Sequence, residues 1–288
     1  MRAFFVLLLV SVHFITPAVA QPISGSITNA KTHEALPFVN VGVVGKALGT
    51  VADERGVYQL TFQEALANET VRVSSVGYAP RNLTLRQLAA QPNVALTPEA
   101  VVLNEVQVRA KALFRRTHTL GNSGNSENTT TYTLTNRDLG GQVGTVIKLS
   151  RRPTRLLNAT FNIAQTAPGK VTFRVNVCRL DAKGRPTETK LLSRDIIVTA
   201  AAVRGPLNVD LSADQLVLYE NFFLSVEMLK WEGLPAGGAT FAFSGSVGYT
   251  NNEVYSRSTS EAPWERASAG AVLAGLQPRL SFFVTVND

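Results

Sequence analysis

Apolar and polar residues alternate along most of the chain, and Gly, Pro, Asn or Asp separates the alternating runs. A period of two predicts strands rather than helices. The early runs are short: residues 23–27, 38–44, 49–51, 57–62, 71–76, 94–96 and 106–108. Residues 63–67 form the best short helical stretch. Between 111 and 128 the composition shifts to Thr, Gly, Asn and Ser, which predicts a linker or a long exposed loop. After it the runs lengthen, at 144–150, 156–163, 171–180, 191–199, 207–211, 216–219, 222–229, 241–249, 253–258 and 279–286. Strands at this spacing predict a second, larger β-sandwich of the jelly-roll kind. No tandem repeat is visible.

The first twenty residues break the pattern. Met1-Arg2 precedes an apolar stretch from 3 to 15, and Ala18-Val19-Ala20 supplies a small-residue cleavage site. That is the form of a secretory signal peptide, so Gln21 is the expected new N-terminus. The alternative is an anchor that stays uncleaved. No cysteine follows Ala20 to carry a lipid, and no later stretch is apolar for the ~20 residues of a transmembrane helix. The expected division is therefore signal peptide 1–20, first β-sandwich 21–110, linker 111–129 and second β-sandwich 130–288. The expected location is exported, in the periplasm or on the cell surface.

Composition narrows the chemistry. The formal net charge is +7, and residues 112–288 hold 19 basic against 14 acidic side chains. Arg115-Arg116 and Arg151-Arg152 with Arg155 are the densest basic groups. No aromatic residues interleave with them as a base-stacking surface requires, so solvated surface is expected and nucleic acid is not. One cysteine, Cys178, excludes an intramolecular disulfide. It has no histidine nearby in sequence, and a semi-buried structural thiol is expected.

Five ordered segments carry a family resemblance. Gly25-x-Ile27 opens the first strand. Glu34-Ala35-Leu36-Pro37-Phe38-Val39-Asn40-Val41 follows. Then come Gly49-Thr50 with Asp53-x-x-Gly56-x-Tyr58-x-Leu60, and Val71-x-Val73-Ser74-Ser75-Val76-Gly77-Tyr78. Leu103-Asn104-Glu105-Val106-Gln107-Val108 closes the set. In this register residues 22–109 resemble the carboxypeptidase-like regulatory domain. Ala52 stands where that family often has threonine, and Ser75 where it often has an aromatic residue. The resemblance implies a small seven-stranded sandwich, transthyretin-like or Ig-like, and an accessory module without catalysis. It also implies the envelope of Gram-negative bacteria, where such modules commonly precede TonB-dependent receptors. The residues after 111 are too few for a large outer-membrane barrel.

Catalytic sets are not found by motif. Beyond the leader the histidines are His33 and His118, too few for the usual zinc sites. Gly245-Ser246-Val247-Gly248 is the nearest imitation of a nucleophile elbow and has no histidine beside it. Asp210 and Glu227 lie in predicted strands, and acids there are the type that holds calcium; scattered acids are ordinarily solvated, and no metal or cofactor is expected. Trp231, Tyr249, Tyr255 and Trp264 fall late in the chain, in or near turns, and are the candidate ligand-binding residues. Aromatic rings there suit stacking on sugars; the competing reading is rim or core packing. The expectation is an exported, non-catalytic binding or interaction protein of the Gram-negative envelope, with a polysaccharide or an envelope protein as partner. The alternatives are a structural or assembly component of the envelope and a carboxylate-based glycoside hydrolase.

Overall fold

The computed structural model describes residues 22–99, 114–124, 130–135, 139–165, 169–201, 203–233, 240–248, 253–267 and 276–288. The leader and the predicted strand at 106–108 lie outside the described residues. No helix among the described residues is long and apolar enough to cross a membrane.

The first module is built on strands β1 (Pro22–Asn29), β2 (Asn40–Val43), β3 (Gly49–Val51), β4 (Val57–Thr61), β5 (Thr70–Ser74), β6 (Arg81–Thr84) and β7 (Val94–Leu96). They form two sheets, ordered β4-β1-β7 and β3-β2-β5-β6. Alternation places Ile27, Val41, Val71 and Val73 between them, all with no exposed surface. The helix α1 (Leu85–Ala90) closes one end with the buried Leu85 and Leu88. Thr84 and Gln87 cap it reciprocally: each side chain accepts a hydrogen bond from the other's backbone N–H. The turn after β3 is set by Asp53, whose Oδ1 accepts from the amides of Arg55 and Val57 at 2.9 Å each. Gly56 ends that turn at φ +73°, where an added Cβ would lie 2.7 Å from the carbonyl oxygen of Ile27.

The second module comprises β8 (Thr117–Gly121), β9 (Thr130–Thr135), β10 (Gln142–Ile147), β11 (Thr154–Gln165), β12 (Lys170–Leu180), β13 (Pro186–Lys190), β14 (Ile196–Ala201) and β15 (Gly205–Asp210). It continues with β16 (Val217–Leu218), β17 (Phe222–Glu232), β18 (Thr240–Gly248), β19 (Val254–Arg257), β20 (Glu265–Arg266), β21 (Gln277–Leu280) and β22 (Phe282–Asn287). One sheet runs β13-β12-β17-β10-β19-β20, with β14 also on β12. The other runs β21-β18-β11-β22-β8, with β15, β16 and β9 added. Between them lies an aromatic core. Phe161 meets Phe282 edge-on at 4.7 Å, and Phe241 meets Phe243 at 5.0 Å.

The chain is thus all-β in two sandwiches. The interval expected to be a linker is partly built in: β8 pairs with β22 from Thr117↔Asn287 to Gly121↔Phe283. Its short polar residues hide the alternation that a longer strand would show.

A candidate site in the cleft between the modules

The outer face of the β12-β17-β10-β19 sheet carries a row of polar side chains in register. Arg174 stands opposite Glu227, Glu227 opposite Gln142, and Gln142 opposite Arg257. The neighbouring row, Val175, Val226 and Val143, points into the core. Period-two logic marks the polar row as solvent-facing. It is covered instead, because the first module sits on it.

Arg174 has 1% of its surface exposed and Glu227 none. Arg174 Nη1 lies 3.0 Å from Glu227 Oε2, and its Nε lies 3.0 Å from Asp195 Oδ1. The latter contact is ionic, since its angle is too poor for a hydrogen bond. Nη2 donates to the carbonyl of Phe38, and Nη1 also donates to Asn40 Oδ1 at 3.4 Å. Phe38 holds a left-handed φ of +55°, which costs a non-glycine residue of order 1 kcal/mol. Asn176 donates to Glu227 Oε2 at 3.1 Å. Burial opposes both charges, but mutual attraction outweighs it. Glu227 is held below the usual carboxylate range and Arg174 above the usual guanidinium value.

A second line of contacts fixes the modules together. The amide of Gly45 donates to the carbonyl of Glu261 at 2.9 Å. Gly42 lets β2 approach closely, since a Cβ there would lie 2.9 Å from Glu261 Cγ. Phe38, Val51 and Leu229 make a small apolar cluster across the joint, and Lys230 pairs with Glu54.

These contacts leave a cleft of about 210 Å³. The sheet supplies Gln142, Arg174, Asn176 and Arg257 to its lining; the first module supplies Arg72, Ser74 and Ser75; Ser260 and Glu261 add to it. Arg257 grips Glu188 through both terminal nitrogens, at 2.6 and 3.1 Å. Arg72, by contrast, makes no side-chain hydrogen bond or ion pair among the described residues, and its Nε is buried without a partner. Ser260 is 2% exposed, and its Oγ also lacks a partner. Burial pushes the Glu261 carboxyl up to about 7, against the opposing pull of Arg72. The thiol of Cys178, also on the cleft, is buried and pushed up to about 12.

The aromatic candidates are placed otherwise. Trp231 packs in the second module's core, 6.3 Å from Phe241, with 9% exposure. Tyr255 and Trp264 come together around Phe223 on the outer sheet face, at 6.0 and 4.9 Å. The Arg257 guanidinium lies 4.2 Å over the Trp264 ring, which ties this cluster to the cleft. Tyr249 lies outside the described residues. Asp210 is exposed and accepts from the amide of Ser212 at 2.8 Å. Among the described residues no three His, Cys, Asp or Glu are grouped to hold a metal ion.

Sequence reasoning missed Arg72, Arg174, Ser260 and Glu261. The available signal was Arg174 and Glu227, each charged within an apolar strand. A further grouping imitates a hydrolytic triad: His118 Nε2 lies 3.0 Å from Ser150 Oγ and 3.6 Å from Asp288 Oδ2. A triad divides its serine and its acid between the two ring nitrogens. Here both approach the same nitrogen, and Nδ1 is buried without a partner.

Residues 23–108 match the family model of the CarboxypepD_reg-like domain. The first module is a CarboxypepD_reg-like domain. No curated protein matches the chain. Among solved structures, the chain is similar to the cysteine protease and lectin-like domains of Cwp84, a surface layer associated protein of Clostridium difficile. That match has 11% identity and a TM-score of 0.37, over 55% of this chain and 35% of that one. A clostridial Cwp84 protease after propeptide cleavage gives 8% identity and a TM-score of 0.41, over 91% and 61%. The infectious bursal disease virus Gt strain gives 10% and 0.27, over 92% and 59%. The chain therefore spans between about a third and three-fifths of the length of these solved chains. Likeness at this level carries no function. Within the regulatory-like domain, Phe38 and Asn40 of the proline-containing segment are the residues that meet Arg174.

Proposed function

We propose that the chain is an exported, non-catalytic binding protein of the Gram-negative envelope, whose ligand occupies the cleft between the CarboxypepD_reg-like domain and the second sandwich. The observation that carries this is the lining: both modules contribute to it, and it holds an unpaired cation and an unpaired buried hydroxyl. Buried polar groups are normally satisfied, so a composite cleft with orphaned ones fits a ligand-binding surface. Export is supported by the leader pattern. Polysaccharide and envelope proteins are the candidate ligand classes. The test is a glycan array and an envelope-protein pull-down, repeated with Ser75→Trp, which fills the cleft. Retention that survives Ser75→Trp would sink the assignment to this cleft.

One observation favours a second reading, a carboxylate-based glycosidase. Burial raises the Glu261 carboxyl to about 7, so a large fraction keeps its proton near neutrality, as a general acid requires. Against it, Glu188 is clamped by Arg257 and Glu227 is buried in an ion pair, which leaves no free carboxylate beside Glu261 as base or nucleophile. Hydrolysis of a broad glycan panel, lost in Glu261→Gln, would favour this reading over simple binding.

A further inference from the structure

Resting on that reading of the cleft, we infer that its ligand is a small hydroxylated monocarboxylate, such as a hexuronic acid, held by a salt bridge to Arg72 and by hydrogen bonds to Ser260 and Asn176. Three features lead to this class. First, the other cations of the cleft are occupied: Arg174 by Glu227 and Asp195, Lys190 by Asp195 at 3.7 Å, and Arg257 by Glu188. Arg72 alone among them makes no side-chain hydrogen bond or close ion pair among the described residues, with the partly ionised Glu261 as its electrostatic neighbour. A guanidinium with an unsatisfied Nε favours a planar carboxylate that takes two parallel hydrogen bonds. Second, the cleft also holds Glu188 and Glu261. Glu188 is already paired with Arg257 and Glu261 is only partly ionised near neutrality, so any negative charge they add opposes a second charge on the ligand and disfavours phosphate and other dianions. Third, much of the remaining lining is hydroxyl and amide, from Ser74, Ser75, Ser260, Gln142 and Asn176, beside the apolar Val76, Pro80 and Leu192. Ser260 lines the cleft with its Oγ buried and unpartnered, and a ligand hydroxyl that reaches it supplies what it lacks. The volume of about 210 Å³ suits one sugar ring, free or at the end of a chain.

The experiment is calorimetric titration of the exported protein with sodium galacturonate, galactose, inorganic phosphate and an oligogalacturonate. Galacturonate is expected to bind, and galactose and phosphate to bind at least tenfold more weakly. Arg72→Gln should weaken galacturonate at least tenfold, Arg72→Lys less, and Ser260→Ala a few-fold, with melting curves confirming that each variant is folded. Tighter binding of the oligomer assigns the site to a chain end, and equal binding to the free acid. Galactose or phosphate binding as tightly as galacturonate overturns the inference, as does unchanged affinity in folded Arg72→Gln or no galacturonate binding. The inference fails alone if an array ligand still binds and loses binding in Ser75→Trp. Both fail if Ser75→Trp alters no interaction.

Discussion

Arg174 is the side chain on which the joint turns. It is long enough to reach from the β12 strand to the carbonyl of Phe38 while its guanidinium faces Glu227 and Asp195. Removing one partner of a buried pair strands the other charge, at a cost of about 3–5 kcal/mol. Glu227→Ala is therefore expected to destabilise the chain by that amount in urea unfolding. The double change Arg174→Met with Glu227→Leu should cost far less, because it removes the two fully buried charges, keeps the volume and leaves Asp195 paired with Lys190. A double variant as unstable as the single one would contradict this. Glu261 yields a pH prediction. Its folded value of about 7 lies above the ordinary 4.5, so the folded state holds the proton more tightly. Stability from this group is complete below about 4.5 and is lost as pH rises through 7. The loss is about 1 kcal/mol, discounted because the carboxyl keeps some contact with solvent. Glu261→Gln should flatten that part of the stability-versus-pH curve; an unchanged slope would assign it elsewhere. None of this was legible from the residues alone. Alternation correctly put Arg174, Asn176 and Cys178 on one face, but it cannot tell a face that meets water from a face that meets another domain.

At the level of elements, the sequence was most informative where strands are long or motifs dense. The runs at 171–180 and 222–229 became β12 and β17, and the stretch at 63–67 holds a short 3-10 turn at Glu64–Leu66. Arg81–Thr84 and Thr117–Gly121 were not seen as strands. Both are polar and short, each puts only one leucine, Leu83 or Leu120, against a core, and both gain most of their order from a neighbour's backbone. The interface depends on glycine where β2 approaches the second module. Gly42→Leu would drive a side chain into Glu261 and lift the 259–262 segment from the β2–β3 hairpin. Calorimetry is then expected to resolve two unfolding transitions, against a single one expected for the parent chain. A single unaltered transition would mean that the contact contributes little to coupling.

For the whole molecule, the leader pattern predicts a secreted form beginning at Gln21, which intact mass and N-terminal sequencing of exported protein would check. Recovery with residues 1–20 attached would favour an anchor. Among the described residues the two sandwiches meet largely through charge, amide and backbone, with Phe38, Val51 and Leu229 as a small apolar cluster. Such a surface, once uncovered, hydrates instead of sticking. Loss or exchange of the leading module by gene rearrangement would thus leave no aggregation-prone scar on the jelly roll. High salt should also loosen the pair more readily than detergent, as expected of a reusable coupling rather than a weld.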